Sequence, residues 1–151
     1  MKIISHRGNI NGPIPKKENR PSYIDSAIQL GYEVEIDLRV INNEFWLGHD
    51  EPQYKIELLW MRLRKEKLWF HCKDMESALM LASLDDDFKY FCHSSEPYVC
   101  TSHKYLWIHD LTSGINDKCI IPLLSKDDIM NYKNNKPYAI CTDFVNTITL
   151  K

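Results

Sequence analysis

The stretch EVEIDLRV, residues 33–40, alternates without a break. Glu33, Glu35 and Asp37 fall on one face of a strand, and Val34, Ile36 and Leu38 on the other, because successive side chains of a strand point to opposite sides. Two readings follow. On a solvated edge strand the acidic face simply meets water. In the central strand of a barrel neither face is solvated, and buried carboxylates without compensation are costly. A divalent cation, which takes oxygen ligands, resolves that conflict. The surroundings of this strand decide between the two.

Working outward, KIIS (2–5) reads as a buried strand. A helix lies within residues 18–32: Pro21 suits a first turn, Tyr23, Ala27 and Leu30 recur at helical spacing, and Gly31 stops it. After the Asn42-Asn43 turn comes a short strand ending in Gly48-His49-Asp50. The spacing predicts an amphipathic helix over 54–67, a strand over 68–73, and a helix from Asp74 as N-cap. Strand and helix thus alternate, as in a parallel α/β sheet. In the second half, 88–93, 98–101, 105–110, 119–124 and 138–143 all read as strands. Their links are mostly too short for a helical crossover. Either some of these strands pair antiparallel, or outer helices are missing. The total, about eight main strands, is the number of a closed β/α barrel. The expectation is an α/β fold: a TIM-type β/α barrel, trimmed or incomplete, with few helices in its second half, forming one domain over residues 1–151.

Bulk properties narrow the function. A formal net charge of −2 supplies no global field toward nucleic acid. No apolar run reaches membrane-spanning length. The N-terminus opens straight into a strand, without the pattern of a signal peptide. Cys72, Cys92, Cys100, Cys119 and Cys141 form no CxxC pair, and an odd count in strand-like contexts favours thiols in a reducing compartment. A cytoplasmic location is expected, with a small-molecule partner rather than nucleic acid or a membrane span.

The chemistry gathers near strand ends. His6 and Arg7 close the first strand, His49 lies in the loop after the third, and His71 and Lys73 share one face of the next main strand. In β/α barrels reactive groups collect at the C-terminal ends of strands. Two histidines for proton transfer, the carboxylates of Glu35 and Asp37, and two cations suit phosphoryl chemistry.

The ordered set His6-Arg7-Gly8, Glu18-Asn19, Glu35-x-Asp37 and His49-Asp50 resembles the glycerophosphodiester phosphodiesterase family, within the phosphatidylinositol-phospholipase-C-like barrels. The likeness covers roughly residues 3 to 74. It implies a phosphoric diester hydrolase of lipid metabolism acting on a small phosphodiester. His6 and His49 would be the acid–base pair, and Glu35 and Asp37 ligands of a divalent metal. Arg7 and Lys73 would contact the phosphate, with Glu18, Asn19 and Asp50 nearby in the pocket. A neighbouring substrate hydroxyl would attack phosphorus, giving a cyclic phosphate open to later hydrolysis. One departure stands out: the family's third strand carries Glu-x-Lys, whereas this chain has His71-Cys72-Lys73. An imidazole third ligand moves preference from Mg²⁺ or Ca²⁺ toward Mn²⁺ or Zn²⁺. Two alternatives remain at this point: a lyase that stops at the cyclic phosphate, and an inactive module that binds a phosphorylated glycan or headgroup.

Weaker candidates come from the second half. His93 and Asp143 stand at strand ends and could reach the pocket, as could Glu96, His109 and Asp110. Each also suits a turn. Glu33 reads as structural or rim-exposed, and Cys72, which alternates away from His71 and Lys73, as a core residue.

Overall fold

The computed structural model describes residues 1–112, 114–133 and 136–149. Ten strands join one mixed sheet: β1 (Lys2–His6), β2 (Glu33–Ile41), β3 (Glu44–Leu47), β4 (Tyr54–Ile56), β5 (Leu68–Cys72), β6 (Lys89–Cys92), β7 (Tyr98–Cys100), β8 (Leu106–Ile108), β9 (Cys119–Pro122) and β10 (Ala139–Thr142). Five short helices among the described residues accompany them: α1 (Pro21–Gln29), α2 (Leu58–Arg62), α3 (Met75–Ser83), α4 (Lys126–Asn131) and α5 (Val145–Thr149).

The parallel core runs β6-β5-β2-β1-β10-β9-β8, with β7 antiparallel at the far end. The sheet curls into a half-barrel. β6 ladders with β5 alone, and its other edge meets the loop after β7, where Ser102 N donates to Tyr90 O at 2.9 Å. The expected TIM-type β/α barrel is therefore wrong. That fold wraps a closed parallel ring in a full layer of helices, and the second half of this chain lacks the connecting length. β8 runs parallel into β9 through residues 109–118 with no helix among the described ones, and β7 turns back on β8. Both readings of the short links hold, in different places.

Alternation on β2 sets the two layers. Val34, Ile36 and Leu38 join a core with Ile24 and Ala27 of α1, Met61 of α2 and Leu81 of α3. The inner face of the curl holds Ile4, Trp69, Phe91, Trp107, Ile120, Ala139 and Cys141. Glu33, Glu35 and Asp37 also face inward and are all buried. Glu33 sits at the N-terminal end as a structural group: it accepts from Lys2 Nζ at 2.5 Å, Trp69 Nε1 at 2.6 Å and Lys89 Nζ at 3.0 Å. Those three donors hold its carboxyl below the usual range, against the opposing effect of burial. Glu35 and Asp37 lie further along, toward the strands' C-terminal ends.

Local signals mostly act as expected. Pro21 opens α1, Gly31 follows its end at φ +98°, and Asp74 Oδ1 caps α3 by accepting from Ser77 N at 2.7 Å. The Asn42-Asn43 turn has both residues at positive φ, the geometry of a tight hairpin. The helix expected over 54–67 is shorter. Tyr54–Ile56 instead pairs antiparallel with β3, burying Ile56 against Phe45, and only Leu58–Arg62 is helical. Helices α4 and α5 were not expected. For α4 the Ser125-x-x-Asp128 capping box was the legible signal: Ser125 Oγ accepts from Asp128 N, and Asp128 Oδ2 accepts from Ser125 N.

Candidate active site

Register assembles the site. His6, the last residue of β1, pairs with Glu35, and Asp37 pairs with His71 on β5. All four point into the curl, where cross-strand neighbours lie close. His71 Nδ1 lies 3.5 Å from Glu35 Oε1 and 3.4 Å from Asp37 Oδ1. One ligand atom from each of the three lies within 4.8 Å of the others.

Asp37 is the hub. Its carboxylate accepts from Asn19 Nδ2 at 2.8 Å, faces Arg7 Nε at 2.9 Å, and lies 3.7 Å from Lys73 Nζ. Asn19 clasps it from both sides, since Asp37 N donates to Asn19 Oδ1 at 2.9 Å. Burial opposes ionisation, yet His49, His71, Arg7 and Asn19 hold this carboxyl far below its ordinary value. Arg7 occupies the left-handed region at φ +55°, a conformation that costs free energy and is concentrated at functional sites. Its Nη1 donates to Glu18 Oε2 at 3.1 Å.

The two histidines of the expected acid–base pair are held differently. His6 Nδ1 bonds Asp143 Oδ1 at 2.8 Å, which turns Nε2 toward Glu35 Oε2, 3.8 Å away. Burial alone would lower its pKa, but the Asp143 hydrogen bond and the Glu35 charge raise it. Asp143 follows β10 and meets His6 by the β1–β10 pairing, behind His6 rather than in the cavity lining. His49 rides on the loop after β3, 40% exposed. Its Nδ1 accepts from Arg7 Nη2 at 2.5 Å when bare, and when protonated can donate to Asp37 Oδ1 at 3.2 Å. Its Nε2 lies 3.7 Å from Asp50, whose side chain is in solvent.

The loop that carries His49 is tightly built. Arg39 donates through Nε to Gly48 O at 3.0 Å, and through Nη2 to His49 O. Gly48 has φ +155°, and a Cβ placed there would stand 1.9 Å from Glu51 O. Gly48→Ala is expected to destabilise the fold by roughly 2–4 kcal/mol, because backbone rather than a flexible side chain must give way. Urea unfolding reads that loss.

A cavity of about 160 Å³ opens above these groups. Its polar side is His6, Arg7, Glu35, His49 and His71, with His93 and His109 on the rim. Phe91, Trp107, Pro122, Leu124 and Cys141 form the apolar side. The rings of His71, Phe91 and Trp107 stack in sequence, at 4.9 and 4.2 Å between centroids. His93 lies at the rim, and His109 stacks on it at 3.9 Å. Burial, then the neighbouring His93 and His71, push the His109 pKa down to about 4. Glu96 and Asp110 stay out of the pocket: Glu96 Oε2 accepts from Ser94 N and Ser95 N, and Asp110 Oδ1 from Thr112 N.

Sequence reasoning missed Asn9 and Arg39. Asn9 is fully buried and donates to both Glu18 Oε1, at 2.9 Å, and Asp143 Oδ1, at 2.7 Å, linking the Arg7 side of the site to the His6 side. Its only signal was proximity to His6-Arg7-Gly8.

Two observations favour a cation among Glu35, Asp37 and His71. Glu35 Oε2 is buried with no hydrogen-bond partner. His71 Nε2 faces the His93 carbonyl at 3.0 Å and must donate its proton there, so a neutral ring aims the bare Nδ1 at two carboxylates. Something positive has to stand between them, either a proton on Nδ1 or a metal ion. Ligands about 2.0–2.6 Å from one ion lie at most about 5 Å apart, so the observed spacing fits. Without metal, the proton takes the role. Burial would depress the His71 pKa, but Asp37 and Glu35 raise it to about 9.

That elevation has a stability consequence. The folded value lies above the ordinary imidazole value of 6.5, so the contribution is complete below about pH 6.5 and disappears as pH rises through about 9. Metal-stripped protein should lose about 3 kcal/mol over that interval, a fall in Tm of about 6–12 °C. Thermal melts across the range check it. Saturating Mn²⁺ should remove the trend, since metal competes with the proton for Nδ1.

No protein-family model matches this chain, and no curated protein or solved structure matches it either. No helix among the described residues is long and apolar enough to cross a membrane.

Proposed function

We propose that the chain is a metal-dependent phosphodiesterase of the glycerophosphodiester phosphodiesterase type, cleaving a small phosphodiester. The observation that carries this reading is the convergence of His6, Arg7, Glu35, Asp37, His49, His71 and Lys73 at one end of the curl. Four carboxylates (Glu18, Glu35, Asp37, Asp143) there meet two permanent cations (Arg7, Lys73), and the remaining negative charge is met by protons on the histidines or by a bound cation in their place. Glu35, Asp37 and His71 would hold a divalent metal, with the imidazole favouring Mn²⁺ or Zn²⁺ over Mg²⁺ or Ca²⁺. Such an ion neutralises charge on a phosphoryl oxygen.

The chain's own groups then divide the work. Arg7 and Lys73 orient the phosphate. His6 is the base: Asp143 fixes the proton on Nδ1, leaving Nε2 to take a proton from the attacking hydroxyl. His49 is the acid: with its ring doubly protonated, Nδ1 donates to Asp37 Oδ1 and Nε2 passes its proton to the leaving oxygen, which leaves a neutral imidazole. The attacking oxygen forms its bond to phosphorus as the leaving oxygen departs with that proton. Attack by a neighbouring substrate hydroxyl yields a cyclic phosphate, and water on a second pass opens it. We place the reaction in a reducing compartment such as the cytoplasm, on the strength of five free cysteines.

Phosphorus NMR on a panel of small glycerophosphodiesters, with Mg²⁺, Ca²⁺, Mn²⁺ and Zn²⁺ added separately, tests the reading. A new monoester or cyclic phosphate signal supports it, and the ratio of the two separates hydrolase from lyase. Unchanged diester with every ion contradicts it.

A further inference from the structure

The outer face of the same strands carries a second feature. Cys72 ends β5 and Cys92 ends β6, and the two are direct register partners in the parallel ladder. Neighbouring strands lie about 4.8 Å apart, inside the Cα separation that a disulfide spans, about 4.4–6.8 Å. Both side chains leave the same face. On β5 Trp69 lies in the inner core and His71 lines the inner cavity, so Cys72 points outward and packs with the outer core. On β6 Phe91 is inward, so Cys92 is outward. Among the described residues no other cysteines pair in register.

Access is one-sided. Cys72 is 4% exposed, while Cys92 is exposed. Both line an open groove of about 370 Å³ that runs along the first turn of α3, beside Lys73, Asp74, Met75 and Ser94. A small reagent can therefore reach one sulfur while the other waits behind it, the arrangement of an attacking and a resolving thiol.

We propose that Cys72 and Cys92 are a dithiol that closes to an intramolecular disulfide when a low-molecular-weight disulfide enters the groove. Cys92, as thiolate, attacks one sulfur of the reagent. A mixed disulfide forms and one thiol leaves. Cys72 gives up its proton and attacks the Cys92 sulfur, expelling the second reagent thiol. Two protein thiols are oxidised to one disulfide, and one reagent disulfide is reduced to two thiols. The bridge joins the residue after His71 to the residue before His93, whose carbonyl holds His71 Nε2. It braces the floor of the candidate active site from outside, and it does not depend on the phosphodiesterase reading.

The test uses the whole, reduced chain under native conditions, with oxidised glutathione as reagent, acid quenching, alkylation and peptide mapping. The expected map joins the Cys72 peptide to the Cys92 peptide and shows no glutathione retained on either. In Cys72→Ala the adduct should instead persist on Cys92. The wild-type map decides by itself if that variant does not fold. Glutathione retained on Cys92 beside a reduced Cys72, a bridge from Cys92 to Cys100, or both thiols left reduced each overturns the proposal.

Discussion

Replacing His49 by alanine is expected to lower kcat by a factor on the order of 10²–10⁴ while phosphodiester binding changes by no more than about threefold. The separation follows from geometry. His49 stands 40% exposed on a loop, so its loss opens no core cavity. Arg7 keeps Glu18 and Asp37 when its His49 acceptor goes, so the anion-binding group stays in place. What disappears is the Nε2 proton needed by the leaving oxygen. Steady-state rates and calorimetric binding of a non-cleaved analogue read the two quantities independently. An inactive binding module has no turnover to lose, so the same comparison separates it from an enzyme.

Asp37→Ala is expected to have the largest effect on stability, about 3–5 kcal/mol. Asp37 is fully buried, and its carboxylate faces Arg7 Nε at 2.9 Å, His49 Nδ1 at 3.2 Å, His71 Nδ1 at 3.4 Å and Lys73 Nζ at 3.7 Å. Removing it leaves Arg7 and Lys73 partly desolvated without their shared counterion, and strips Asn19 Nδ2 of its acceptor. The urea midpoint should fall by roughly 1–3 M. Glu35→Gln makes the informative contrast. Glu35 Oε2 has no hydrogen-bond partner to abandon, so the stability loss should be confined to the missing charge beside His71 and smaller than in Asp37→Ala, while metal binding suffers. Equal losses in the two variants would mean that Asp37 is not the hub described.

The inner face of the site was readable because it depends on period-two spacing within single strands. Glu35-x-Asp37 and His71-x-Lys73 needed only the strand assignment, and Arg7 only a strand end. The role of Asp143 needed more. Its contact with His6 spans 137 positions and exists because β10 pairs with β1, which no local pattern encodes. Asn9 was hidden for a similar reason, since its two acceptors come from opposite sides of the site. The fold was misjudged where strand number stood in for closure. Eight or so strands suggest a ring, but a ring also needs each connection long enough to return its strand in parallel, and residues 93–105, where β7 turns back on β8, do not supply it. The residues 54–56 show the other limit. Tyr54 and Ile56 satisfy a helical stripe as well as a strand, and pairing with β3 decided between them.

The most direct measurement is turnover of a glycerophosphodiester by chelator-stripped protein, before and after a divalent ion is returned, in the wild type and in Glu35→Gln. Stripped wild-type protein should be inactive, an ion should restore it, and Glu35→Gln should stay inactive at the same ion concentration. Turnover that survives stripping, or a Glu35→Gln variant restored as fully as the wild type, would contradict a metal held by Glu35, Asp37 and His71.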